Sequence, residues 1–263
     1  MADLLIELVS EEIPARMQNM AAQHFATAVR TALHDLGVWT NDAGIDGLCG
    51  PRHLAVYASG IAVAQPDRLI EKRGPRVDAP ETAIAGFVAS AGVPREALIE
   101  EDTPKGRFFF ARNHLTGADT KSLLGDIVTS ILTEFPWPKS QRWGCGSFRW
   151  VRPLHRINIL FDGQALAGSF DLGGGEKLAF GTTSCGHYFE SPDDISLDGV
   201  DSLADFKQRL ALAHVIIDQS DRHAAIIDGA KSLAASVGCT LDEAQLGGYI
   251  QDIAGLVESP TAL

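Results

Sequence analysis

Residues 4–37 read LLIELVSEEIPARMQNMAAQHFATAVRTALHDLG, and this stretch predicts a strand followed directly by a long helix. The short apolar run at 4–9 suits a buried strand. Between 15 and 36 apolar side chains recur at helical spacing, and the pattern stops at Gly37, a residue typical of helix ends. Ser10 is predicted to cap the helix. One strand and one amphipathic helix therefore open the fold.

The rest of the chain mixes strands and helices without a strict βαβ rhythm, which indicates an α+β fold with a mixed sheet. Turns are predicted at Ser59-Gly60 and Asp162-Gly163. Strands are expected at 54–58, 61–63, 108–112, 154–161 and 165–170, and helices at 79–91, 123–135, 200–214, 220–237 and 241–254.

The character of the sequence changes after about Ser191, where helical stretches replace the strands. We therefore predict two parts, an α+β sheet domain over 1–191 and a mostly helical region over 192–263. The last residues are apolar and end without a polar tail, so the expectation is a chain truncated in mid-element.

The composition favours an ordinary globular protein over a membrane protein or a disulfide-rich one. Of the 263 residues 45% are hydrophobic and 21% charged, as in ordinary globular proteins. No apolar run approaches the roughly 20 residues that span a bilayer, and the acidic start is unlike a signal peptide, so no membrane partner is expected. The four cysteines are isolated, which favours a reduced, cytoplasmic location over a zinc or disulfide site.

The net charge of −12 is unevenly distributed. Between Arg52 and Arg156 fifteen Lys and Arg stand against eleven Asp and Glu, so the middle of an acidic chain is locally basic. Such a segment can present a positive face to phosphate, although ordinary solvated charge explains the same excess.

Familiar catalytic patterns are absent from the sequence: it holds no P-loop, no GxSxG, no HExxH and no dinucleotide-binding glycine triplet. Gly173-Gly174-Gly175 is interpreted as a turn, and the His34-Asp35 pair lacks the further ligands that a metal site requires. We predict no catalytic residue and no metal site in this chain.

Several short segments combine proline or glycine with a cation. Proline and glycine hold the backbone, so the charge is displayed at low entropic cost, and arginine beside an aromatic ring suits RNA phosphates and unstacked bases. The alternative is a set of tight turns whose arginines form internal salt bridges. The candidate RNA-binding residues are Arg52, Lys72, Arg73, Lys105, Lys139, Arg142 and Arg152.

Read in order, these segments resemble one family, the β subunit of the bacterial tetrameric glycyl-tRNA synthetase. The opening is similar to its LLxEIGTEELPA pattern, and the resemblance extends to residue 260. The other matching segments are PRHLA at 51–55, EKRGP at 71–75, TPKG at 103–106, PKSQRWG at 138–144, RPLH at 152–155, GHYF at 186–189 and LVESP at 256–260. The sequence departs from the family pattern at His53, Arg156, Cys185, Tyr188 and Ser259, and the first, third and fourth of these replace arginines.

The resemblance implies an amino-terminal portion of a subunit without a catalytic site of its own. It implies an α2β2 enzyme that joins glycine to tRNA(Gly), with ATP and Mg²⁺ bound at the α subunit and no cofactor in this fragment. It also implies a sheet domain similar to the B3/B4 domain of the phenylalanyl-tRNA synthetase β subunit. Two alternatives stay open: an editing-like aminoacyl-ester hydrolase that uses His155 or His187, and an interaction module whose residues 200–258 dock on the α subunit.

Overall fold

The structure, a computed structural model, describes residues 1–261, with the backbone alone for 243–245. The strands are β1 Ala2–Ser10, β2 Gly44–Cys49, β3 His53–Ile61, β4 Arg68–Arg76, β5 Ile99–Thr103, β6 Gly106–Leu115, β7 Leu154–Phe161, β8 Gln164–Ala165, β9 Ser169–Gly173, β10 Glu176–Gly181, β11 Thr183–Cys185 and β12 Asp194–Ser196. The α-helices are α1 Ala15–Asp35, α2 Glu81–Ala91, α3 Thr120–Thr133, α4 Leu203–Leu212, α5 Gln219–Ser236 and α6 Glu243–Ala254. The predicted combination of helices with a mixed sheet is confirmed.

The chain forms two compact units, one from Met1–Val63 with Thr120 onward and one from Ala64–Asp119. The sheet of the larger unit has the order β2-β3-β1-β7-β10-β9, and β8 pairs with β7. Only β7 and β10 pair in parallel among the neighbours of this sheet, so the sheet is mixed. β1 lies in its centre, between β3 and β7.

Both faces of the central strand are covered, and strand periodicity decides which side chain meets which layer. Leu4, Ile6 and Leu8 pack with the buried side chains of α1 and α3. On the opposite face Leu5 belongs to a second apolar cluster, which includes Phe206 of α4. An even-numbered residue of β1 therefore faces α1, and an odd-numbered one faces the α4 side.

The unit over Ala64–Asp119 contains a three-stranded antiparallel sheet of order β4-β6-β5 together with α2. Ile84 of α2 and Phe109 of β6 are buried in it. Gly74 lies against the ring of Phe87, where any added Cβ would collide with the ring. The glycine of the EKRGP segment is thus required by packing of the strand on the helix.

Two local predictions are wrong. The turn expected at Ser59-Gly60 does not occur, because β3 continues to Ile61 while it pairs with β1 and β2. The backbone N–H of Gly60 donates to Asp3, and Gly60 has a positive φ. This glycine therefore allows a local irregularity within a paired strand and does not form a turn. Ser10 lies in β1 and caps nothing; the residue before α1 is Pro14.

The boundary predicted near residue 192 stays a prediction, because the compact units separate a different segment. None of the helices in residues 1–261 combines the length and the apolar character that crossing a membrane requires.

We expect Phe25→Ala to lower the free energy of unfolding by about 3–5 kcal/mol, because the ring is fully buried between α1 and the sheet and its loss leaves a cavity. Met20→Ala on the same helix is the control; Met20 is 45% exposed, and its replacement should change stability by less than about 0.5 kcal/mol. Denaturant titration of both variants measures the difference, and equal losses would contradict the described packing.

Candidate functional site

A fully buried carboxylate, that of Glu7, lies in the middle of β1 on the face toward α4. Ser184 donates its hydroxyl to Oε1 at 2.7 Å, and Asn158 donates its amide to Oε2 at 2.8 Å. His53 Nδ1 lies 3.0 Å from Oε1. Because a buried carboxylate is costly unless it is hydrogen-bonded and paired, these three groups are what allow Glu7 to lie there.

His53, at the start of β3, is also fully buried and connects Glu7 to Cys185. Its Nε2 lies 3.7 Å from Cys185 Sγ while its Nδ1 faces Glu7. Burial by itself lowers the pKa of His53, but the hydrogen bonds with Cys185 and Glu7 outweigh it and raise the pKa to about 10. The imidazole is therefore protonated at neutral pH and donates to both neighbours.

Arg52 forms a paired interaction beside this histidine. Its Nε and one terminal nitrogen contact the two carboxylate oxygens of Glu258 at 2.8 and 2.9 Å, and the same terminal nitrogen donates to the carbonyl of Gly186. The side chain of Arg52 is only 15% exposed. Two of its three guanidinium nitrogens are engaged within the chain, as the salt-bridge alternative expects. The role of Arg52 in tRNA binding stays a prediction.

Four of the segments that carry the family resemblance meet at this place. Glu7 comes from the opening segment, His53 from PRHLA, Gly186 from GHYF and Glu258 from LVESP. Residues that are 46 to 206 positions apart in sequence are in direct contact here. PRHLA and GHYF were predicted to display cations on a rigid backbone, with internal salt bridges as the alternative. In the structure these two segments join the opening segment to LVESP, near the two ends of the described chain.

A cavity of about 410 Å³ opens beside the buried centre. Its lining includes Glu11, Arg52, His155, Arg156, Cys185 and Tyr188. His155 Nε2 lies 3.6 Å from a carboxylate oxygen of Glu11, and Arg156 is held by Asp194 and the carbonyls of β11. The cavity thus brings a histidine, a thiol and two guanidinium groups together.

The second candidate histidine, His187, is not in the lining of this cavity. Its Nδ1 accepts the backbone N–H groups of Phe189 and Glu190 at 3.3 and 3.1 Å. The ring therefore fixes the turn that follows Gly186. His155 and His187 are not brought together at one site.

Lys139 and Arg142 are exposed on the segment between α3 and β7. Aromatic packing anchors this segment: the Trp137 and Trp150 ring centroids are 5.1 Å apart, and Gln141 pairs with Trp150 across the loop. Arg152, at the end of the segment, is half-buried and donates to the carbonyl of Val151. The two exposed cations are consequently held on a fixed backbone.

The other three candidates belong to the Ala64–Asp119 unit, and all are exposed. Lys72 donates to the carbonyl of Ser90 at the end of α2, and the guanidinium of Arg73 lies 3.8 Å from the ring centroid of Phe108. Lys105 occupies the turn between β5 and β6. Neighbouring arginines of the unit instead form ion pairs with acids, as Arg76 does with Asp78.

The distribution of charge differs between the two groups of candidates. Residues 64–119 hold eight Lys and Arg against nine Asp and Glu, so this unit has almost no net charge. Residues 135–161 hold five Lys and Arg and no Asp or Glu. The positive excess in the middle of the sequence thus comes from the segment that carries Lys139 and Arg142.

The sequence alone singled out neither the two carboxylates nor the thiol of the buried centre as functional. Glu7 interrupts an otherwise apolar strand, and a charge at such a position signals a buried partner. Cys185 was noted only as a departure from the family pattern, and Glu258 only as part of a motif. No signal in the sequence connects the three. Within residues 1–261, no group of three His, Cys, Asp or Glu is placed to hold a metal ion.

Comparison with known proteins gives one consistent answer. A family model described as "Glycyl-tRNA synthetase beta subunit" matches residues 4–263. Proteins named glycine–tRNA ligase beta subunit from Rhodospirillum centenum and Paracoccus denitrificans are 38% and 40% identical over the whole chain. The chain spans 39% and 37% of the length of these two relatives.

We expect the wild-type protein to lose a stabilising contribution of a few kcal/mol as the pH rises from about 6.5 to about 10. The pKa of His53 is raised from 6.5 to about 10 on folding, so its contribution is complete below the unfolded value and disappears as the folded histidine loses its proton. Denaturant titration across this range should show a smaller decline for His53→Gln than for wild type. His155→Gln, at an exposed position, is the control and should follow wild type. Parallel declines of wild type and His53→Gln would contradict the Glu7–His53 ion pair.

Proposed function

The chain belongs to the glycyl-tRNA synthetase β subunit family, and from this membership we propose that it helps to bind tRNA(Gly) and to assemble a glycine–tRNA ligase. In this proposal the chain is a non-catalytic portion of the β subunit. Its partner is an α subunit in an α2β2 tetramer, where ATP and Mg²⁺ are used, and the location is the cytoplasm. The buried centre then serves to hold the β subunit portion together.

The observation that carries tRNA binding is the basic segment 135–161. It contains five cations and no Asp or Glu, and Lys139 and Arg142 are exposed on a backbone that the surrounding tryptophans anchor. None of the residues described by the structure forms an ion pair with either side chain. Exposed cations without an acidic partner contribute most to binding affinity, because each one that contacts a phosphate releases the counterions held there.

The unit over Ala64–Asp119 is proposed as a second contact with RNA. Arg73 stacks on Phe108, and Lys72 and Lys105 are exposed elsewhere in the same small unit. An arginine and an aromatic ring together suit an unstacked base and its phosphate. Because the unit has almost no net charge, we propose a local contact with RNA and no long-range electrostatic attraction.

Two further proposals follow from the family resemblance. The sheet of the larger unit, with helices on both faces, is proposed to be similar to the B3/B4 domain of the phenylalanyl-tRNA synthetase β subunit. The helical end is proposed as a surface for the α subunit, because several large apolar side chains there are more than two-fifths exposed. They are Leu212, Leu233, Val237, Tyr249, Ile253 and Leu256.

We expect the double variant Lys139→Ala/Arg142→Ala of the assembled enzyme to bind tRNA(Gly) more weakly and with a weaker salt dependence. Each lost phosphate contact should reduce the slope of log affinity against log salt by about 0.7–0.9, so the double variant should lose about 1.5. Filter binding or fluorescence titration at several salt concentrations measures the slope.

The matched control is Arg76→Ala, because Arg76 is exposed but already paired with Asp78. It should leave both affinity and slope close to wild type. A parallel triple variant, Lys72→Ala/Arg73→Ala/Lys105→Ala, tests the second contact separately. Wild-type binding by both multiple variants would remove the support for a tRNA-binding role.

One observation favours the second candidate function, an aminoacyl-ester hydrolase: His155 lines a cavity of about 410 Å³ beside Glu11. A histidine paired with a carboxylate can position or activate a water molecule. If this function exists, the assembled enzyme should release glycine or alanine from charged tRNA, and His155→Ala should lower that rate by about 10²-fold or more. A deacylation rate equal to that of free aminoacyl-tRNA would exclude it.

A further inference from the structure

We propose that Cys185 is a modification site, at which the cysteine, paired with His53, attacks small-molecule disulfides and becomes a mixed disulfide. The proposal rests on the contacts of the thiol and on the cavity beside it. None of the observations used for it involves tRNA, so it stands independently of the proposed function.

The first observation is the chain of contacts from Glu7 through His53 to Cys185. Glu7 Oε1 lies 3.0 Å from His53 Nδ1, and His53 Nε2 lies 3.7 Å from the sulfur. Glu7 in turn is fixed by Ser184 and Asn158. The ring therefore has one nitrogen on the carboxylate of Glu7 and the other beside the thiol, with Glu258 Oε1 4.0 Å from that second nitrogen. An imidazole in contact with a thiol can activate it as a nucleophile.

The protonation of the histidine supports this arrangement. Burial opposes a charge on His53, yet its contacts with Cys185 and Glu7 raise its pKa to about 10. Nε2 lies 3.7 Å from the sulfur, where a ring N–H can stabilise the negative charge of a cysteine as it reacts. Arg52 lines the same cavity with its guanidinium paired to Glu258, and the acids Glu11 and Glu12 line it as well.

The second observation is access. Cys185 is half-buried and contributes to the lining of the cavity of about 410 Å³. Ligand pockets of roughly 300–1,000 Å³ accommodate small molecules. Tyr188, another residue of the lining, is 67% exposed. The cavity therefore offers a small disulfide a route to Cys185 from this side.

The other three cysteines provide internal comparisons. Cys49 is buried, and its burial raises its pKa to about 11, which disfavours reaction. Cys145 and Cys239 are exposed, so their access is better than that of Cys185. Among the residues that the structure describes, the hydrogen bond between a cysteine and a histidine is that of Cys185. If access decided the rate, the two exposed thiols would react faster than Cys185. If activation by histidine decides it, Cys185 reacts faster.

The reaction is a thiol–disulfide exchange. The thiolate sulfur of Cys185 attacks one sulfur of the small disulfide, a new S–S bond forms, and the original S–S bond breaks. The second half of the reagent leaves as a thiolate and takes up a proton from solvent. Cys185 is oxidised to the mixed disulfide, and the disulfide reagent, which is the oxidant, is reduced by the same two electrons.

The test uses the full-length β subunit and oxidised glutathione at pH 7. Modification of each cysteine is followed over time by peptide mapping and mass spectrometry. We expect Cys185 to react about tenfold or more faster than Cys145 and Cys239 despite its lower exposure. Faster or equal reaction of the two exposed cysteines overturns the proposal.

Two variants assign the effect to the histidine. His53→Gln should reduce the rate at Cys185 to that of the exposed cysteines or below, whereas His155→Gln, at a residue of the same cavity, should leave it unchanged. An unchanged rate in folded His53→Gln overturns the proposal. If His53→Gln fails to fold, the order of rates among the wild-type cysteines decides the question alone.

Discussion

The buried carboxylate of Glu7 is the constraint on which the rest of the larger unit depends. A charge in the central strand of a covered sheet must be paired, because it has no access to water. The strands on either side provide the partners: Asn158 stands directly opposite Glu7 on β7, and His53 lies two residues from its opposite position on β3. Ser184 of β11 completes the set. A polar contact thus helps to determine the position of the two-stranded sheet formed by β11 and β12.

The same constraint extends to the distant end of the described chain. His53 follows Arg52 in sequence, and Arg52 holds Glu258 through a two-point contact. Segments that look like displayed cationic loops therefore divide into two classes. In one class the cation forms an ion pair within the fold, as Arg52 does with Glu258 and Arg156 does with Asp194. In the other it remains exposed, as for Lys139 and Arg142.

This division changes how the family motifs are understood. Motifs that contain arginine in a subunit of a tRNA ligase suggest RNA contact, yet several of them are explained here by internal pairing. His53 and Cys185, two positions where arginine is expected from the family pattern, touch each other. The histidine–thiol contact thus places the side chain of Cys185 between the buried centre and the cavity.

The sequence by itself determined the elements whose signal is local. Periodicity gave α1, α3 and the three carboxy-terminal helices, and the apolar run at 4–9 gave β1, because burial of one face repeats along a single element. It did not determine the separate unit at 64–119, whose composition resembles that of its surroundings, nor the unbroken course of β3 through Gly60. Only the tertiary structure brought Glu7, His53, Cys185 and Glu258 together. A hydrogen bond between side chains far apart in sequence depends on strand order and register. Neither of these can be inferred from the periodicity of the sequence.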